Sequence, residues 1–138
     1  MTQSLRRVAI LGGVRIPFCR SNTLYADLSN LEMMTAALNG LVDRYNLKGV
    51  HIDEVVGGAV VTHSKDFNLA REAVLGTRLA TSTPGITLMQ ACGTSLQAAM
   101  GSAAKIATGQ IESAIATGIA ASPPEAAMAA PCRKMRGA

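Results

Sequence analysis

Apolar residues fall in short blocks along the first 118 positions, and the blocks alternate between two periods. Val8 to Leu11 is a compact apolar run closed by Gly12-Gly13, the pattern of a buried strand and its turn. Leu31, Met34, Leu38, Leu41 and Tyr45 then recur at helical spacing. Ser29 stands three residues before Glu32, a capping box, so the spacing predicts a helix from about Asn30 to about Arg44. Val55 to Val61 reads as a second buried strand, with Gly57 and Gly58 marking a close approach. Asn68 caps a helix over Leu69 to Leu75, with Gly76 at its end. Pro84-Gly85 breaks the chain before a third strand, Ile86 to Met89. In the next helix Leu96, Ala99, Met100, Ala103 and Ala107 share a face. Ala98, Gly101, Ser102 and Ala104 keep its other faces small, which suggests enclosure on several sides. Gly109 ends that helix, and Ile111 to Thr117 reads as a fourth strand.

Strands alternating with helices imply an α/β fold, a mostly parallel sheet of about four strands with helices on both faces. Ligands in such sheets collect outside the carboxyl ends of the strands. With 138 residues and nearly half of them apolar, the chain can bury a real core. Aromatics are few (Phe18, Tyr25, Tyr45 and Phe67), so small aliphatic residues and methionines fill the interior.

The net charge of +4 changes the picture little. Half of it lies in the last twenty residues, where Glu125 faces Arg133, Lys134 and Arg136. No basic stripe interleaves with aromatics, which argues against nucleic acid as a partner. No apolar run approaches the length of a membrane span. Arg6-Arg7 followed by an apolar run has the outline of a targeting segment, but Arg15 interrupts it and no small-residue cleavage site follows. The three cysteines, Cys19, Cys92 and Cys132, are too scattered for a disulfide framework or a zinc site and fit a reducing, cytoplasmic compartment.

One cysteine stands apart. Ile86-Thr87-Leu88-Met89-Gln90-Ala91-Cys92-Gly93-Thr94-Ser95 reads as strand, tight turn, helix, with the Cys92 thiol at the helix start and at a carboxyl end of the sheet. A free thiol has a pKa of about 8.5, and the thiolate is its reactive form. A helix start favours an anion by about 0.3–1 kcal/mol, whereas a pKa near 7 requires about 2 kcal/mol. A base such as histidine completes the activation of such a nucleophile. His51 precedes the second strand, at the wrong rim of the sheet, and reads as no partner. His63 follows that strand, at the same rim as Cys92, but reads better as a solvated loop histidine. Cys19 reads as a packing thiol, Cys132 as an exposed tail thiol, and Gln90 as a polar strand end or a site-shaping residue.

The segments Arg15-Ile16-Pro17-Phe18, Asn68-Leu69-Ala70-Arg71-Glu72, Ala91-Cys92-Gly93-Thr94-Ser95-Leu96-Gln97-Ala98 and Ala114-Ile115-Ala116-Thr117-Gly118 resemble the N-terminal part of a thiolase. Residues 1–118 then correspond to a partial N-terminal domain with a layered, thiolase-like sheet. The resemblance implies acyl transfer in fatty-acid metabolism: thiolytic cleavage of a 3-ketoacyl-CoA, or condensation of acetyl-CoA, with Cys92 as the acyl-thioester nucleophile. It implies coenzyme A as substrate, no cofactor and no metal. It further implies a homodimer or a dimer of dimers, or a place in a multienzyme fatty-acid-oxidation complex, which is mitochondrial in a eukaryote. The strand leading to the nucleophile is expected near the dimer contact.

The family's activating histidine, second cysteine, and oxyanion-hole asparagine and histidine find no counterpart here, so the 138 residues are expected to be inactive alone. After Gly118 the family pattern gives way to an Ala/Pro-rich basic tail, residues 119–138, which reads as a frameshifted or truncated stretch. A ketoacyl synthase and a non-catalytic thiolase-like association domain are the alternative readings.

Overall fold

The strand Glu54–Gly57, β1, lies at the centre of the molecule and is buried along its whole length. The computed structural model describes residues 5–20 and 23–120. Gly85–Thr87 forms β2 and Ala114–Ala116 forms β3, and both pair parallel to β1 in the order β2-β1-β3. Val55 sits opposite Gly85 on one side and Ile115 on the other. The ladder continues past the expected boundary at Gly118 through a parallel bridge between Ala59 and Ile119, and Ile119 is buried. The rest of the expected tail, 121–138, lies outside the described residues.

Three helices cover this sheet: α1, Asn30–Tyr45; α2, Leu69–Leu75; and α3, Thr94–Ala107. Successive residues of a strand point to opposite faces, so β1 turns Val55 to one side and Glu54 and Val56 to the other. Val55 joins Met33, Met34, Leu38 and Val42 of α1 and Leu69, Ala73 and Val74 of α2 in the main core. Glu54, on the opposite side, pairs with Lys105 of α3. The expected capping box starts α1: the Ser29 hydroxyl accepts the Glu32 N–H, and the Glu32 carboxylate accepts the Ser29 N–H. The buried stripe of α1 runs through Met33, Met34, Leu38 and Val42, with Leu31, Leu41 and Tyr45 half-buried at its margins. Asn68 caps α2 as expected, and its amide also reaches the Gly85 carbonyl at 3.1 Å, tying α2 to β2.

Two expectations are corrected. The first strand expected, at Val8–Leu11, does not form, and the sheet has three strands among the described residues. The segment runs between the ends of two helices instead: Arg6 N–H donates to Ala107 of α3, and Arg44 of α1 donates to the Gly13 carbonyl. Ile10 and Leu11 are about nine-tenths exposed. An apolar run becomes a strand only beside a free ladder edge, and no ladder bond joins this run to β3. The second correction concerns α3, which is not enclosed. It buries Thr94, Ala98 and Ser102, while Leu96 and Met100 are 65% and 59% exposed. The helix lies so close to the sheet that only small side chains fit beneath it, so the larger apolar stripe faces outward.

Candidate active site

Parallel pairing brings the carboxyl ends of all three strands to one rim. The chain leaves β2 there and turns into α3 through a single 3-10 turn, Ala91–Gly93. Cys92 is the middle residue of that turn, and its side chain is exposed and free. The turn is tight: Ala91 has φ +44°, a left-handed conformation that a residue with a Cβ adopts at a cost. Gly93 N–H donates to the Gln90 carbonyl at 2.8 Å. The Thr94 hydroxyl accepts the Gln90 N–H at 2.9 Å and donates to the Ala91 carbonyl at 2.8 Å.

Two glycines at the strand ends make room for this turn. A Cβ on Gly58 would lie 1.9 Å from the Leu88 carbonyl oxygen and 3.2 Å from Thr94 Cγ2. A Cβ on Gly118 would lie 2.9 Å from the Ser95 Cβ. The close approach expected of the Gly57-Gly58 pair is thus made on two sides, Gly57 against Thr117 and Gly58 against Leu88 and Thr94, which flank the Cys92 turn. Thr94 was given no role from the sequence; the signal available was a Thr-Ser pair directly after Cys-Gly.

The remaining candidates are dispersed. His51 lies ahead of β1, at the amino rim, where Nδ1 is 2.9 Å from the Ser82 Oγ and Nε2 is 3.7 Å from Asp53 Oδ1. His63 follows β1 at the carboxyl rim, and its Nδ1 accepts the Lys65 N–H at 3.1 Å. Cys19 is half-buried beside Tyr25, whose hydroxyl donates to the Pro17 carbonyl. Burial first, and then the Cys19 thiol, raise the Tyr25 phenol above its ordinary range. Gln90 is exposed. Cys132 lies outside the described residues.

A cavity of about 570 Å³ opens between the Val14–Arg20 segment and Thr117–Ala120, with Met33 and Ser95 in its wall. It begins at Ser95, one helical turn along from Cys92, which is not in its lining. Among the described residues no group of three His, Cys, Asp or Glu side chains converges as a metal site, and no helix is long and apolar enough to cross a membrane.

The class of protein defined here is an α/β domain that sets a cysteine where a parallel sheet hands over to a helix. The family model of the thiolase N-terminal domain matches residues 8–123, and the chain belongs to that family. It is 38% identical over 116 residues to the mitochondrial trifunctional enzyme subunit beta of Rattus norvegicus, a match covering 84% of this chain and 24% of the relative. It is 39% identical over 112 residues to the 3-ketoacyl-CoA thiolase of Shewanella denitrificans, covering 81% of this chain and 26% of that one. The crystal structure of the Bacillus anthracis acetyl-CoA acetyltransferase superposes with a TM-score of 0.77 at 26% identity, covering 83% of this chain and 29% of that chain. The chain thus spans about a quarter of the length of the curated relatives it matches.

Proposed function

We propose that this chain carries the acyl-accepting part of a thiolase, with Cys92 as the nucleophile. The observation that supports it most directly is the exposed Cys92 on the strained turn between β2 and α3. In the thiolytic direction the Cys92 thiolate attacks the 3-keto carbon of a 3-ketoacyl-CoA. The C2–C3 bond breaks, and its electron pair leaves on C2 of acetyl-CoA, which takes up a proton. The acyl group stays on sulfur as a thioester. The thiolate of a second coenzyme A then attacks that thioester, and Cys92 leaves as thiolate. A covalent intermediate divides one difficult step into two easier ones. Rapid turnover requires a base that deprotonates Cys92; His51 lies at the opposite rim, and His63, at the same rim as Cys92, accepts the Lys65 N–H at Nδ1.

The chain's relatives include trifunctional enzyme beta subunits, and this supports a place in a multienzyme fatty-acid-oxidation complex. The exposed Leu96–Met100 stripe on α3 supports association with a second subunit. A free, exposed thiol suits a reducing compartment, the cytoplasm or the mitochondrial matrix.

Incubation of the chain with acetyl-CoA, followed by intact-mass measurement and peptide mapping, tests the reading. One acetyl group on the Cys92 peptide, absent from Cys92→Ala, is the expected result. A Cys92 that iodoacetamide alkylates but acetyl-CoA never acylates would overturn it.

A further inference from the structure

We infer that Thr94 is the positioning residue for Cys92, acting through the two peptide groups that precede the cysteine. The inference rests on the reading of Cys92 as an acyl acceptor and adds the group that holds it in place.

Thr94 is a polar residue only 3% exposed, on a helix end that is otherwise open. Its hydroxyl uses both of its capacities within one turn: it accepts from the Gln90 N–H and donates to the Ala91 carbonyl. Its own backbone N–H also donates to the Ala91 carbonyl. Ala91 is the residue with the left-handed φ of +44°, a conformation that relaxes unless its neighbours over-determine it. With the Gly93 N–H that donates to the Gln90 carbonyl, four hydrogen bonds converge on the peptide groups of Gln90 and Ala91, and two of them come from one side chain. Cys92 follows directly, so its Cα–Cβ direction is set by the geometry that this hydroxyl maintains.

The far side of Thr94 is held as well. Its Cγ2 packs at the backbone of Gly58, where a Cβ would already be 3.2 Å away. The threonine therefore fills two roles with two groups: the methyl rests on the end of the central strand, and the hydroxyl fixes the turn. Serine keeps the second role and valine keeps the first. That contrast separates positioning from packing.

The test uses the full chain and three forms: the unsubstituted protein, Thr94→Val and Thr94→Ser. Amide hydrogen exchange is read at Gln90, and acylation by acetyl-CoA is read at Cys92, with iodoacetamide alkylation of Cys92 and Cys19 as the control for global unfolding. In the unsubstituted chain Gln90 N–H is expected to exchange at least about tenfold slower than an unstructured amide, although its residue is exposed. Thr94→Val is expected to abolish that protection and slow acylation about tenfold or more, since small misplacements of a nucleophile cost at least that. Alkylation of Cys92, which demands no precise geometry, should stay within about threefold. Thr94→Ser should restore both protection and acylation.

A Gln90 amide that exchanges freely in the unsubstituted chain overturns the inference. So does a Thr94→Val form that loses the protection yet acylates at the original rate. If Thr94→Val exposes Cys19 and proves unfolded, Thr94→Ser against the unsubstituted chain decides by the same two readouts. If the unsubstituted chain takes no acetyl group, the acyl-transfer reading fails by itself, and the exchange measurements alone decide whether Thr94 holds the turn.

Discussion

Lys105 of α3 forms an ion pair with Glu54, whose carboxylate lies buried at the start of β1. The pair fastens the last turn of α3 to the central strand, while Thr94 fastens its first turn.

Removing one partner strands the other. Lys105→Met leaves the Glu54 carboxylate buried without its cation, which costs about 2–3 kcal/mol, below the full buried-pair range because Lys105 is partly exposed. Urea unfolding should show this loss. Glu54→Gln in the same chain should recover part of it, since an amide needs no countercharge. A single Lys105→Met as stable as the parent would show that the pair contributes nothing.

Asp53 joins β1 to the segment that leads into β3. Its Oδ2 accepts the N–H groups of Glu112 at 2.8 Å and Ser113 at 3.0 Å. These two bonds, then the Ser113 hydroxyl and the nearby His51, hold its carboxyl below the ordinary range. A depressed folded-state pKa contributes stability that is present above the unfolded value of about 3.9 and is lost as pH falls through the folded value. The urea midpoint should therefore fall in that acid window, and Asp53→Asn should flatten the dependence there.

Two glycine positions should respond to alanine with opposite signs. Gly58→Ala drives a methyl into the Leu88 carbonyl and is expected to cost about 1–3 kcal/mol or more, with loss of the ordered Cys92 turn. Gly101 lies inside α3 with open space for 4 Å around the place a Cβ would take, so Gly101→Ala should stabilise by about 0.5–1 kcal/mol. Thermal unfolding of both variants checks the pair of signs.

The outward stripe of α3 should drive self-association. Leu96 and Met100 are both more than half exposed, and Ile86 and Met89 on and after the edge strand β2 add apolar surface. Leu96→Gln with Met100→Gln is expected to remove concentration-dependent association in sedimentation velocity without lowering the unfolding midpoint of the monomer. Association that survives both substitutions would place the contact elsewhere.

The contrast between α1 and α3 shows how far patterns along the chain reach. For α1, the Ser29–Glu32 capping box and the apolar spacing located the helix and, in Met34 and Leu38, half of its apolar buried stripe. For α3, the same spacing located the helix, but its small residues suggested enclosure on several sides where one side is covered, because periodicity does not show how many faces of a helix meet a neighbour. Val8–Leu11 failed for a related reason: an apolar run carries the propensity for a strand but not the neighbour it must pair with. The position of Cys92 at a strand-to-helix handover was legible, because glycine and the change of period mark such turns locally. The role of Thr94 was not, because its hydroxyl gains meaning only from the left-handed backbone of Ala91 and the bare strand end at Gly58.

Local chemistry thus settled the positions of the helices, their caps and the turn that carries Cys92, since those depend on interactions within about four residues along the chain. Strand order, the exposed face of α3, the unpaired N-terminal run and the seat of the Thr94 methyl against Gly58 were decided by the tertiary structure. Each depends on how closely groups from distant parts of the chain approach one another, and that distance is set only when the sheet and its helices pack.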